Sequence, residues 1–240
     1  MSISKHTPYF ECLEAVQRGG CPICYLAKKS VARYLDSLIY ERVNDPKTRE
    51  RTRAAQGFCR LHAWQLRHQG GALGIGIIYR DVVRDIAAVL DEVSFNGQPR
   101  WSPLDALRAI GRERSELANS GAIQAVSPTQ ECPACTVQHQ TEETYVDILL
   151  ENLHEEQMQA AFEKSDGLCL PHLRLALAGT RDQETFTRLI SVERKVFREL
   201  LDNLDEMIRR SDYRYMDGLA QVGDAWIHAM SHVTGREGLS

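Results

Sequence analysis

Eight side chains in this sequence have the types and spacing to hold metal ions: Cys21, Cys24, Cys59 and His62 in the first half, Cys132, Cys135, Cys169 and His172 in the second. They form two Cys-Pro-x-Cys turns, Cys21-Pro22-Ile23-Cys24 and Cys132-Pro133-Ala134-Cys135. Each is followed by a Gly-x-Cys-x-x-His segment, Gly57 to His62 and Gly167 to His172. Thirty-four residues lie between Cys24 and Cys59, and thirty-three between Cys135 and Cys169, so two copies would close loops of nearly equal length. Three thiolates and one imidazole complete a tetrahedral shell around zinc and leave no position open for a substrate. The expectation is two structural zinc sites, each closed inside its own copy and stapling that copy's helices. The same donors also suit iron–sulfur clusters, and two clusters in one chain would point to electron transfer or redox sensing. Disulfides Cys21–Cys24 and Cys132–Cys135 would leave Cys59, His62, Cys169 and His172 unexplained, and the spacing is that of metal ligands.

The elements around these donors read as helices. Tyr9, Cys12, Leu13 and Val16 share one helical face, and Gly19-Gly20 breaks that helix before the first Cys pair. Pro22 suits the first turn of the next helix, whose apolar stripe is Val31, Tyr34, Leu35, Leu38 and Ile39 and which Asn44-Asp45-Pro46 ends. Residues 47–56 are good helix formers, and Gly57 stands where a left-handed residue stops a helix. A helix over 59–69 puts Cys59 and His62 on one face. Gly70, Gly71, Gly74 and Gly76 read as a loose turn before a helix from Tyr79 to Val93 with Val82, Val83, Ile86, Val89, Leu90 and Val93 along one side. Ser102-Pro103 opens a shorter helix to about Leu117, and Asn119 to Gln130 reads as a linker.

The second half repeats this plan. Tyr34-Leu35-Asp36 aligns with Tyr145-Val146-Asp147, and Arg80, Val82, Arg84, Leu90, Asp91 and Glu92 align with Arg194, Val196, Arg198, Leu204, Asp205 and Glu206. The fold class expected is all-α and internally duplicated, one repeat over 1–120 and one over 121–240.

Function is far less legible. A net charge of −4 argues against a broad electrostatic grip on nucleic acid or anionic membrane, leaving Lys47, Arg49, Arg51 and Arg53 as a local basic run able to touch phosphate. Nothing resembles a secretory signal, and the weakly polar run from Gly70 to Tyr79 is too short to span a bilayer, so a cytoplasmic protein without membrane contact is expected. Cys12 reads as a small buried residue. Glu151-x-x-His154 lacks the second such pair a di-iron bundle needs, and His228 with His232 lacks a third ligand, so that face reads as solvated or partner-facing. Gly74-x-Gly76 is no dinucleotide loop, and no nucleophile elbow or phosphate loop occurs, so an enzyme is poorly supported. Asp36 and Asp147, twelve residues beyond the last thiolate, are expected to pair with Arg80 or Arg84 and with Arg194 or Arg198. What remains is a metal-stabilised scaffold or regulatory binding protein with protein partners. The alternatives are an iron–sulfur redox protein and a nucleic-acid-binding regulator.

The two Cys-Pro-x-Cys and Gly-x-Cys-x-x-His pairs, with the closing Asp224-Ala225-Trp226 and Gly235, resemble a family of bacterial proteins of about this length known only as a domain of unknown function. The resemblance covers nearly the whole chain. It implies that the duplicated ligand pattern is a family trait, and it brings no activity, substrate or catalytic residue.

Overall fold

Helices account for all the regular secondary structure among the described residues. The structure, a computed structural model, describes residues 7–68, 71–93, 120–211 and 222–239. The elements run in order α1 (Thr7–Val16), α2 (Pro22–Ser37), a π-helical turn (Leu38–Arg42), α3 (Pro46–Ala54), α4 (Arg60–His68) and α5 (Ala72–Glu92). They continue with α6 (Ser120–Ala125), α7 (Pro133–Asn152), α8 (Glu156–Phe162), α9 (Leu170–Gly179), α10 (Gln183–Arg210) and α11 (Ala225–Thr234). The chain is all-α, as its periodicity implies.

Local chemistry explains the helix starts. Pro22 and Pro133 occupy the first helical position, where a missing N–H costs nothing. Asp45 caps α3 through the Thr48 N–H at 2.8 Å, and Asp182 caps α10 through the Thr185 N–H at 2.8 Å. The expected linker after Asn119 contains the short α6. The expected helix from Ser102 to Leu117 and its Asn96–Pro99 boundary lie outside the described residues.

The loose turn read before α5 does not extend over Gly74 and Gly76. Gly74 and Gly76 lie inside the helix, which begins at Ala72. A Cβ on Gly74 would come within 3.0 Å of Ile39 Cγ2 and 3.1 Å of the Ile39 carbonyl oxygen, so this glycine serves close packing of α5 on the π turn. The stripe read on α5 is also only partly inward: Val82 is buried, whereas Val83 and Leu90 are exposed.

The chain divides into two compact units, one made of Met1–Tyr34 with Ala134–Ser240 and the other of Leu35–Pro133. These are an outer and an inner stretch of sequence. The outer unit has a continuous core in which Tyr9, Cys12, Leu13 and Val16 of α1 and Ile23 of α2 join Val146, Leu149 and Leu153 of α7, Met158 and Phe162 of α8, Leu173 of α9, and Leu189, Val192 and Val196 of α10. Tyr145 Oη donates to Glu11 Oε2 at 2.6 Å, which ties α7 to α1 and is the first reason the Glu11 carboxyl lies below the usual carboxylate range. In the inner unit Leu35, Leu38, Ile39, Phe58, Leu66, Ile78 and Val82 are buried, and Arg49 and Arg53 of α3 reach Asp81 and Asp85 of α5. Two of the four cations in the basic run are therefore held by carboxylates of their own unit. Arg80 and Arg84 stand 3.8 and 3.6 Å from Asp81, and Asp36 makes no ion pair among the described residues, so the expected Asp36 pairing is not found.

Candidate metal centres

All eight predicted donors converge into two groups, but their pairing differs from the sequential one. Cys21 and Cys24 of the first half meet Cys169 and His172 of the second, while Cys59 and His62 meet Cys132 and Cys135. The two centres are nested: the outer joins the first donor pair to the fourth, the inner joins the second to the third. The expectation that each repeat is stapled by its own site is thus corrected. The physical reason lies in the outer core, where the face of α1 and the first turn of α2 pack among residues of α7 to α10 and carry the first Cys pair with them.

Within each group the ligand atoms all lie within 4.8 Å of one another. In the outer centre the Cys24 and Cys169 sulfurs are 3.6 Å apart, and His172 Nδ1 stands 3.5, 3.4 and 3.0 Å from Cys21, Cys24 and Cys169. In the inner centre His62 Nδ1 is 3.3 Å from Cys59 Sγ and 3.6 Å from Cys132 Sγ. Seven of the eight donors are buried, and Cys59 is half-buried.

The outer centre is assembled by short-range ties. The Gly20 N–H, one residue before Cys21, donates to Asp166 Oδ2 at 2.7 Å, and the Asp166 carbonyl oxygen lies 2.8 Å from His232 Nε2. His232 is buried and makes this tie, so only His228 of that pair is solvent-facing. After α11 the chain turns over the site, where the Arg236 N–H meets Cys24 Sγ at 3.5 Å and supplies a donor for a thiolate. In the inner unit the Thr129 N–H donates to the Ala54 carbonyl at 2.9 Å and fixes the approach to Cys132.

Electrostatics inside the outer set are strongly perturbed. Burial raises the Cys21 thiol well above its ordinary range, whereas hydrogen bonds from Cys169 and Cys21 bring Cys24 far down. Burial pulls His172 down, but its bonds to Cys169, Cys24 and Glu142 outweigh that and push the imidazole up to about 11. Protons and a metal ion compete for these donors, so ion binding releases protons and is favoured as pH rises. Cys12 belongs to neither set; it is fully buried, and burial pushes its thiol up to about 12, that of an inert core residue.

Both Gly-x-Cys turns use a glycine at positive φ, +91° at Gly57 and +66° at Gly167. Behind each stands one side chain from the following long helix. A Cβ on Gly57 would come within 2.9 Å of the Tyr79 ring, and one on Gly167 within 2.8 Å of Glu193 Oε1. The Leu168 N–H donates to Glu193 Oε1 at 2.8 Å, and the Tyr79 oxygen accepts from the Phe58 backbone. Tyr79 and Glu193 precede the aligned Arg80 and Arg194, so one position brackets both ligand turns with unlike residues. Sequence reading missed them because a tyrosine and a glutamate share no obvious chemistry.

Glu193 is nearly inaccessible, Oε2 has no hydrogen-bond partner among the described residues, and burial pushes its carboxyl up to about 7, against the Leu168 N–H and the nearby His232, which lower it. A carboxyl raised from 4.5 binds a proton more readily folded than unfolded, so its contribution to stability is largest in acid and declines as pH rises from about 4.5 to about 7. Glu193→Gln should therefore melt above wild type at pH 8 by about 1–3 kcal/mol, with the advantage shrinking toward pH 5. Paired denaturation curves of wild type and variant at the two pH values test this, and a constant difference would refute it.

With the geometry in place, comparison with known proteins adds a family but no activity. Residues 9–238 match the family of unknown function DUF6062. The chain belongs to that family. A curated relative, the "Uncharacterized 23.9 kDa protein in xynA 3'region" of Caldicellulosiruptor sp. (strain Rt8B.4), is 24% identical over 228 residues, 94% of this chain and 100% of that protein. No solved structure matches. No helix among the described residues is long and apolar enough to cross a membrane.

Proposed function

We propose that this DUF6062 protein is a cytoplasmic, zinc-stabilised helical scaffold of internally duplicated sequence, whose two Cys3His centres are structural and whose outer surface serves protein partners. The observation that carries the reading is the tightness of the donor sets. Zn–S bonds of about 2.3 Å and Zn–N bonds of about 2.0–2.1 Å place tetrahedral S···S and S···N edges near 3.8 and 3.6 Å. The separations found, 3.6 Å between sulfurs and 3.0–3.6 Å from sulfur to nitrogen, suit four donors on one ion. The four ligands of an iron–sulfur cluster are divided among two or four irons, so they do not all crowd within the 4.8 Å found here. All four positions of each ion would be taken by the chain, leaving none for a substrate. The salt bridges of Arg49 and Arg53 count against the basic run as a phosphate grip.

Elemental analysis and a visible spectrum of protein purified without oxygen and without added metal test the assignment. Two equivalents of zinc and no colour are expected. Iron with matching sulfide and a broad visible band would overturn it in favour of redox chemistry.

A further inference from the structure

The two donor sets are identical in composition, yet the side chains behind them are not. His172 turns Nδ1 toward three sulfurs, which leaves Nε2 to carry the ring proton, and Nε2 lies 3.4 Å from Glu142 Oε1. That oxygen also accepts from Gln138 Nε2 at 2.8 Å. Gln138 is fully buried and Glu142 is partly buried, with 14% of its side chain exposed, one turn apart on α7, where a glutamine and a glutamate would ordinarily face solvent. Burying them off solvent is unfavourable unless they are engaged. Counting from the Cys-Pro-x-Cys turns, the positions that match Gln138 and Glu142 in the first half are Ala27 and Val31, both buried and apolar. The two halves have diverged at the place where the second contributes a polar relay.

We infer that Gln138 and Glu142 are positioning residues for the outer metal centre: the glutamine fixes the carboxylate, and the carboxylate holds the His172 ring in the tautomer and orientation that present Nδ1 to the ion. A carboxylate behind a ligating imidazole raises its basicity and fixes its angle, and outer partners of this kind are worth about 10–100-fold in metal affinity. The inference rests on the metal reading above and adds that one centre is tuned independently of the other.

The test is zinc titration of the full chain against a chromophoric chelator, with cobalt substitution as the spectroscopic readout. In Glu142→Gln, one of the two zinc-binding steps should weaken by about 10–100-fold while the other keeps its wild-type affinity. The cobalt ligand-field bands of that one centre should shift with the imidazole. The double variant Gln138→Ala, Glu142→Val carries the residues of the first half, which pack in a buried setting, and guards against misfolding of the single variant. It should show the same selective weakening. Two unchanged steps with unshifted bands, or equal weakening of both, would overturn the positioning role. Wild-type protein that binds no zinc or cobalt would instead overturn the metal reading itself.

Discussion

Chain carrying Cys21→Ser, Cys24→Ser and Cys169→Ser is expected to retain one zinc ion, whereas chain carrying Cys21→Ser, Cys24→Ser and Cys59→Ser should retain none tightly. In the nested arrangement the first triple variant strips three donors from the outer centre and leaves the inner Cys59, His62, Cys132 and Cys135 complete. The second damages both centres, taking two thiolates from one and one from the other. Loss of a direct thiolate should exceed the effect of an outer partner, so more than about 100-fold in affinity at each damaged centre. Zinc per chain after dialysis against a nanomolar chelator reads the result. A sequential arrangement predicts the reverse, with the Cys59 variant keeping one ion and the Cys169 variant none. That pattern would sink the nested topology.

The donors themselves were legible because metal chemistry constrains residue type and spacing so tightly. Their pairing was not, since two copies of one motif satisfy the same valence whichever way they combine. Loop entropy even favours the sequential choice: the Cys24–Cys169 closure spans 145 residues against 35 for Cys24–Cys59, a difference of about 1.3 kcal/mol. Burial decides against it. Tyr9, Leu13, Val16 and Ile23 enter the outer core, and each large apolar side chain fully buried is worth about 1.5–3 kcal/mol, several times the loop term in total. Only the apolar faces choose the pairing, and periodicity shows that a face is apolar without showing its partner. Gly74 illustrates the same limit, because a glycine that breaks a helix and a glycine that lets another segment approach look identical in sequence. Glu142 does so from the other side, since a glutamate on a long helix gives no sign that it stands behind a histidine on another.

The nesting makes metal removal the larger perturbation. The outer centre joins the start of α2 to the start of α9, and the inner joins the start of α4 to the turn that opens α7, so four helix starts are anchored at two points. Structural zinc sites bind with apparent free energies of about 10–16 kcal/mol in small peptides, as much as a whole domain's net stability of about 5–15 kcal/mol. Because ligand clustering is part of the folded state, that binding energy is folding energy. Stripping both ions under reducing conditions is therefore expected to abolish the cooperative thermal transition followed by helical circular dichroism. Adding back two equivalents of zinc should restore it and magnesium should not, because thiolates are poor ligands for a hard cation. The outer core gives residual structure a place to persist, so part of the helical signal should survive while the sharp transition is lost. Acid should act like the chelator, since protonating the thiolates releases the ions, and the midpoint of loaded protein should rise with pH through the range where the sulfurs lose their protons. Stripped protein that melts at the same midpoint as the loaded form would show that the helices hold one another without the metal. The two centres would then have to be explained by something other than architecture.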